Sequence, residues 1–278
     1  MKAEIINIGD ELLIGQIVNT NAVWIAQQFN ALGVPIARMT TIADKAEDII
    51  EAVGKAFNDH ELIVITGGLG PTKDDITKKT LADMFGSGMA LHQETLDRIV
   101  AYFQKIKRPL PHTMRDQAIL PELAEILTNK VGTAPGMWFE RDGVVYVSMP
   151  GVPFEMEYLM QNEVIPKLLN RFPGRPIAHR TLHTVGEGET NIANRIEAFE
   201  DGLPAHIKLA YLPALGEVRL RLTGTWSGAI IPDAEAVLAK ELDVKIAELE
   251  RLLPDIVYGR NGETLQEVVG KLLQERQL

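Results

Sequence analysis

The sequence predicts an α/β domain with a mostly parallel sheet, followed by a smaller α+β domain. Two observations predict it. Short apolar runs alternate with helix-period stretches through the first half, and a proline- and glycine-containing break at 171–176 introduces a strand-rich remainder.

In order, residues 3–8 (AEIINI) read as a strand, and 21–32 read as a helix with Ile25, Phe29 and Leu32 on one stripe. Residues 34–41 are strand-like, 46–57 are helical with Ile49, Val53 and Phe57 on one face, and 62–66 (LIVIT) form a buried-type strand. A further strand over 143–148 and a helix over 154–169 complete the first domain. Beyond the break, strands are expected at 180–184, 208–212 and 218–223, with helices at 190–198 and 234–252. Residues 264–273 form an amphipathic helix with Leu265, Val268, Val269, Leu272 and Leu273 on one face, a stripe that needs another surface to pack against. The expected division is 1–170, 177–255, and a linker with helix over 256–278.

Composition narrows the function. The 278 residues contain no cysteine, which excludes disulfides and thiolate chemistry and suits a cytoplasmic setting. No apolar run approaches the roughly 20 residues of a membrane span. A net charge of −10 repels nucleic acid, although backbone amides, a helix N-terminus or a metal can still hold phosphate. The six histidines lack metal-ligand spacing, and no G-x-S-x-G elbow is present. The basic run Lys105, Lys107, Arg108, His112 and Arg115 reads as a solvated face or a phosphate contact.

Parallel sheets hold ligands beyond the carboxyl ends of their strands, so the loops after 8, 41 and 66 are the places for chemistry. Thr66 to Thr77 (TGGLGPTKDDIT) joins a strand to a helix. Its glycines allow backbone N–H groups to face an anion, and Asp74 and Asp75 make sense there with a magnesium-like ion. The alternative is a glycine turn with Thr72 and Asp75 as a capping box. Asp10 and Glu11 follow the first strand and Asp44 the second. Each offers a metal ligand or general base, or simply a helix start. The strings 129–136 (NKVGTAPG) and 150–156 (PGVPFEM) read as two more loops that bring backbone close to a ligand.

The strings 9–13 (GDELL), 15–21 (GQIVNTN), 66–75 (TGGLGPTKDD), 132–136 (GTAPG), 150–156 (PGVPFEM), 186–189 (GEGE) and 212–221 (LPALGEVRLR) resemble the CinA (competence-damage-inducible protein A) family over nearly the whole chain. The resemblance implies a three-layer first domain of the molybdopterin-binding, MoaB/MogA-like type and a KH-like second domain. It also implies metal-dependent hydrolysis of ADP-ribose to AMP and ribose 5-phosphate. The alternatives are a molybdopterin-binding or nucleotidyl-transfer enzyme of molybdenum cofactor synthesis, and a non-catalytic nucleotide-binding or dimerisation module. Longer members carry a nicotinamide-mononucleotide deamidase domain, whose activity is not expected here.

Carried over residue by residue, Asp75, Asp44, Asp10 and Glu11 are the catalytic candidates, and Asp75, Asp74 and Asp10 the metal candidates. Gly67, Gly68, Gly70, Pro71, Thr72 and Lys73 should line the phosphates, with Asn21, Thr133, Pro135, Gly136, Pro150 and Gly151 completing the pocket. The implied cofactor is Mg2+, with Mn2+ or Co2+ as substitutes, and the implied partners are a nucleotide and a second copy of the chain. Met114-Arg115-Asp116 departs from the family's usual Asn-Arg pair before Gln117. The KH-like part lacks a basic helix and a GxxG clamp, which weighs against RNA.

Overall fold

The computed structural model describes residues 1–72, 75–172, 176–226 and 233–276. Two of the expected site residues, Lys73 and Asp74, lie outside the described residues, as does the centre of the 171–176 break. The chain divides into two compact units, Met1–Asn30 with Val34–Gly174, and Ala31–Gly33 with Arg175–Leu278.

In the first unit the elements run β1 (Ala3–Ile8), α1 (Asp10–Leu13), α2 (Thr20–Ala31), β2 (Ile36–Ile42), α3 (Ala46–Asp59), β3 (Leu62–Thr66) and α4 (Thr77–Phe85). They continue with β4 (Met89–Leu91), α5 (Gln93–Lys105), α6 (His112–Asp116), β5 (Ile119–Pro121), β6 (Glu125–Leu127), β7 (Gly136–Arg141), β8 (Val144–Met149), α7 (Pro153–Leu159) and α8 (Ile165–Arg171). The main sheet has the order β2-β1-β3-β8-β7-β6 among the described residues. β2, β1, β3 and β8 are parallel, β7 is antiparallel to β8, and β6 is antiparallel to β7.

From β1 the chain moves one place to β2, then back past β1 to β3. Right-handed crossovers in opposite directions put α2 and α3 on opposite faces of the sheet. The α3 face buries Ile6, Ile8, Ile63 and Ile65 against Ile49, Val53, Leu81 and Phe85. The alternate residues Ile5, Val64 and Val147 are also fully buried, so β1 and β3 read as continuous apolar runs. Asn7 is the polar interruption in β1. It accepts from Thr66 Oγ1 at 3.1 Å and donates to Thr40 O at 3.2 Å, tying β3 and β2 to β1 near the strand ends.

The helix expected over 154–169 is α7 and α8 joined by a π turn at Met160–Val164. Pro166, at the start of α8, has no N–H to continue the α ladder, which accounts for the widened turn. The antiparallel pair β7 and β6 and the helices α5 and α6 were not anticipated; residues 129–136 alone were read as a loop, and Gly136 proves to open β7.

The second unit is a four-stranded antiparallel sheet in the order β10-β11-β9-β12, with β9 (Ile177–Val185), β10 (Ile207–Ala214), β11 (Glu217–Thr225) and β12 (Val257–Arg260). Helices α9 (Glu189–Asp201) and α10 (Ala234–Leu252) supply Ile192, Ile196, Leu238, Leu242 and Ile246 to its core. Because Val257 to Arg260 pair with β9, the sheet extends past residue 255, where only a linker was expected. In α11 (Leu265–Glu275) Leu265, Val269, Leu272 and Leu273 are exposed, whereas Val268 lies beside Gly259 of β12. No helix among the described residues is long and apolar enough to cross a membrane.

Candidate functional site

The loops leaving β2, β1, β3 and β8 enclose a cleft of about 620 Å³ at the carboxyl edge of the sheet. It opens there because the crossovers leaving β1 and β2 diverge to opposite faces. Gly67 is where the loops after β1 and β3 meet. At φ 107° an added Cβ would stand 2.1 Å from Ile8 O, and the Gly67 amide donates to Met149 O of β8 at 3.0 Å. Gly68 follows at φ 66°, with an added Cβ 2.0 Å from Thr77 Oγ1. Only glycine fits either position, so the turn hugs the strand ends and leaves its backbone facing the cleft.

Of the expected residues, Asp10, Glu11, Asp44, Asp75, Gly67, Gly68, Gly70, Pro71, Thr133, Pro150 and Gly151 line the cleft. Asn21, Thr72, Pro135 and Gly136 do not line it. Asn21 acts from behind, donating to Gly151 O at 2.8 Å while its buried Oδ1 has no partner among the described residues. Gly136 is buried in β7 against Leu127 and Leu159, a packing position. The residues of the basic run are exposed from the end of α5 to α6 and do not line the cleft.

Thr72 serves Asp75. Its backbone N–H and hydroxyl donate to Asp75 Oδ2 at 2.8 and 2.5 Å, and Asp75 N–H returns to Thr72 O at 3.2 Å. Helix α4 begins at Thr77 with Ile76 as its N-cap, and no side chain caps it. The Thr72–Asp75 pair therefore closes the loop's own turn and is not a capping box. Nor does Asp44 cap α3, whose N-cap is Lys45; Asp44 Oδ2 accepts from the Asp10 N–H at 3.1 Å, joining the loops after β2 and β1.

Asp44 is the electrostatic centre of this end. Burial raises its pKa above the ordinary 3.8, the Asp10 amide opposes the rise, and the charges of Asp10, Glu11 and Asp75 add to it. All these donors are oxygens, the chemistry of Mg2+ or Mn2+. Among the described residues no three carboxylate or histidine side chains converge as a complete metal cage. Magnesium commonly uses one or two carboxylates and takes its remaining ligands from phosphate and water, so these residues suit an ion that arrives with a phosphate.

Three residues of the site escaped the sequence reading. Gln117 is buried and donates to Leu69 O at 3.0 Å, holding the glycine loop. Glu155, in the first turn of α7, lines the opposite end of the cleft. Asn129 donates to Glu155 Oε2 at 2.5 Å and to Ala134 O at 2.9 Å. Burial raises the Glu155 pKa, against the Asn129 hydrogen bond and the charge of Arg98. The signal for Glu155 was available: it is an acidic residue in the loop region after a parallel strand, the criterion that selected Asp10 and Asp44.

Residues 4–170 match the family described as "Probable molybdopterin binding domain", and residues 179–259 match the "Damage-inducible protein CinA KH domain". A CinA-like protein of Flavobacterium psychrophilum is 43% identical over 280 residues, covering 100% of this chain and 66% of its own length. A CinA-like protein of Cytophaga hutchinsonii is 41% identical over 274 residues, covering 99% of this chain and 64% of its own. The chain thus spans slightly less than two thirds of these relatives. The crystal structure of a CinA protein of unknown function from Thermoplasma acidophilum matches 60% of this chain and 96% of its own, at 32% identity and TM-score 0.54. A molybdopterin-binding-type α/β unit, a KH-type unit and relatives of this identity over the whole length together make the chain a member of the CinA family.

Proposed function

We propose that the cleft binds a phosphate-bearing ligand of the molybdopterin or nucleotide class, together with a divalent cation, in the cytoplasm. The observation that carries the reading is one cleft joining a close-packed glycine turn to a carboxylate crowded by like charges, Asp44. The glycine turn offers backbone to phosphate oxygens. Asp44, Asp10 and Asp75 favour a cation and repel a bare anion, which selects a metal-complexed phosphate. The family description of residues 4–170 supports the pterin form of the ligand.

The test is ligand-induced stabilisation. Magnesium pyrophosphate, a pterin phosphate and AMP should each raise the melting temperature of the wild-type chain, and Asp44→Asn should lose the magnesium-dependent part. No shift with any of them would sink the reading.

A second reading is hydrolysis of nucleotide-sugar diphosphates, ADP-ribose first. It is favoured by the raised Asp44 carboxyl, whose Oδ1 approaches within 3.5 Å of the Cβ position at Gly68, beside the glycine turn. A cation bound there would neutralise phosphate charge and orient water. Asp44 would accept the proton of a water whose oxygen bonds to phosphorus as the P–O–P bridge breaks, ribose 5-phosphate and AMP being the two products, and Asp75, fixed by Thr72, would orient the groups around it. Incubation of ADP-ribose with Mg2+, Mn2+ or Co2+, following AMP by chromatography with Asp44→Asn and Asp75→Asn alongside, decides it. AMP from the wild type alone supports hydrolysis; none with any metal leaves binding only.

A further inference from the structure

The two ends of the cleft carry carboxylates in opposite surroundings. Asp44 follows β2 and Glu155 follows β8, three strand positions apart, or roughly 14 Å at the spacing of neighbouring strands. Asp44 is crowded by other acids. At Glu155 the charged neighbour among the described residues is Arg98.

Glu155 is also fixed in place. Asn129, 0% exposed, spends its whole amide on this corner: Oδ1 accepts from the N–H groups of Val131 and Gly132 at 3.1 and 3.0 Å, and Nδ2 donates to Ala134 O and Glu155 Oε2. Arg98 Nη1 donates to Gly132 O at 2.8 Å and secures the same loop. Gly132 passes so close that an added Cβ would lie 2.0 Å from Glu155 Oε2. A larger residue at this position would have to push the carboxylate aside. Among the described residues Asn129 is the sole hydrogen-bond donor to Glu155, and it reaches only Oε2. Oε1 therefore belongs to a half-buried, immobilised carboxylate that lacks a protein donor while lining a ligand-sized cleft. Such an oxygen is satisfied by water or by a donor on the ligand.

We propose that Glu155 is a specificity-determining residue that accepts hydrogen bonds from adjacent N–H or O–H donors on the non-phosphate end of the ligand, while the phosphates lie toward the glycine turn and Asp44. This rests on the proposed phosphate-ligand function. The donor pair has two chemical sources, the vicinal diol of a ribose and the amino–imino edge of a pterin. A metal at this end is disfavoured by the adjacent Arg98 charge.

The probes are AMP against its 2′,3′-dideoxy analogue, and a pterin phosphate against its counterpart lacking the 2-amino group, all with Mg2+. Magnesium pyrophosphate, which has no such donors, is the control. Dissociation constants come from calorimetry on the wild type and on Glu155→Gln, which keeps the shape but offers an amide N–H on one side. Wild type should prefer the donor-bearing member of one pair by at least about tenfold, and Glu155→Gln should reduce that preference severalfold with pyrophosphate binding unchanged. The pair that discriminates identifies the source. Equal binding within both pairs, or a preference retained in Glu155→Gln, overturns the proposal. So does an equal loss of pyrophosphate and of the other ligands, which would make Glu155 only a support for the loop. Failure of pyrophosphate to bind the wild type removes the underlying phosphate reading instead, and this proposal with it.

Discussion

Two carboxylates of the first unit, Glu4 and Asp44, sit toward opposite ends of the same strands and are treated in opposite ways. Glu4, 2% exposed in β1, accepts from Thr40 Oγ1 at 2.6 Å and lies 3.2 Å from His60 Nδ1 and 3.6 Å from Arg38 Nη1. One oxygen thus has a hydroxyl donor and the other, without a hydrogen bond of its own among the described residues, lies beside an imidazole and a guanidinium, the kind of setting that holds a buried carboxylate for the fold alone. Asp44 has one backbone donor and three acidic neighbours. Like charges gathered on strand-end loops oppose folding unless a proton or cation relieves them, so the contrast separates a structural carboxylate from one suited to a ligand.

The largest effect should come from breaking the structural side. Glu4→Ala removes the acceptor of the Thr40 hydroxyl and the carboxylate beside His60 and Arg38 and opens a void, at a cost on the order of 3 kcal/mol in urea unfolding. A loss below about 0.5 kcal/mol would mean that the pairing does not matter to stability. Gly68→Ala comes next. Its left-handed backbone and the Cβ position 2.0 Å from Thr77 Oγ1 predict a loss of about 1–3 kcal/mol, with ligand binding impaired as the turn shifts. Thr72→Ala removes the hydroxyl donor to Asp75 but leaves the backbone one, so about 1 kcal/mol or less is expected, and chemical denaturation would read it.

Asp44→Asn should have the smallest effect on the ligand-free fold, within about 1 kcal/mol and in the stabilising direction near neutral pH, because it removes a crowded charge. The sign follows from the raised native pKa. The folded state holds the Asp44 proton more tightly than the unfolded state. The resulting stability is complete below 3.8 and is lost as pH rises through the raised native value. Unfolding curves across that window should lose this component of the decline in Asp44→Asn. Magnesium affinity should rise with pH over the same window in the wild type, because metal and proton compete for one carboxylate.

Much of this organisation was legible in the residues. The central strands announce themselves as apolar runs such as LIVIT, and the string from Thr66 to Thr77 marks the glycine turn, because close backbone approach leaves glycine as its trace. Residues 136–141 (GMWFER), the strand β7, went unread because their strand character is expressed only through pairing with β8 and β6. Asn129 and Glu155 were hidden for a related reason. They lie 26 residues apart, and neither has a local pattern that reports the hydrogen bond between them.

The sequence by itself determined the α/β class, the strand-end loops as the place of the cleft, and four of the acidic positions gathered there, because periodicity and glycine usage are local consequences of backbone geometry. Only the tertiary structure decided which acids share an environment. Strand order brings Asp10, Glu11, Asp44 and Asp75 into one electrostatic neighbourhood and sets Glu155 beside Arg98 at the far end of the cleft. Charge interactions depend on distance through space and on burial, and neither quantity exists until the strands have taken their places in the sheet.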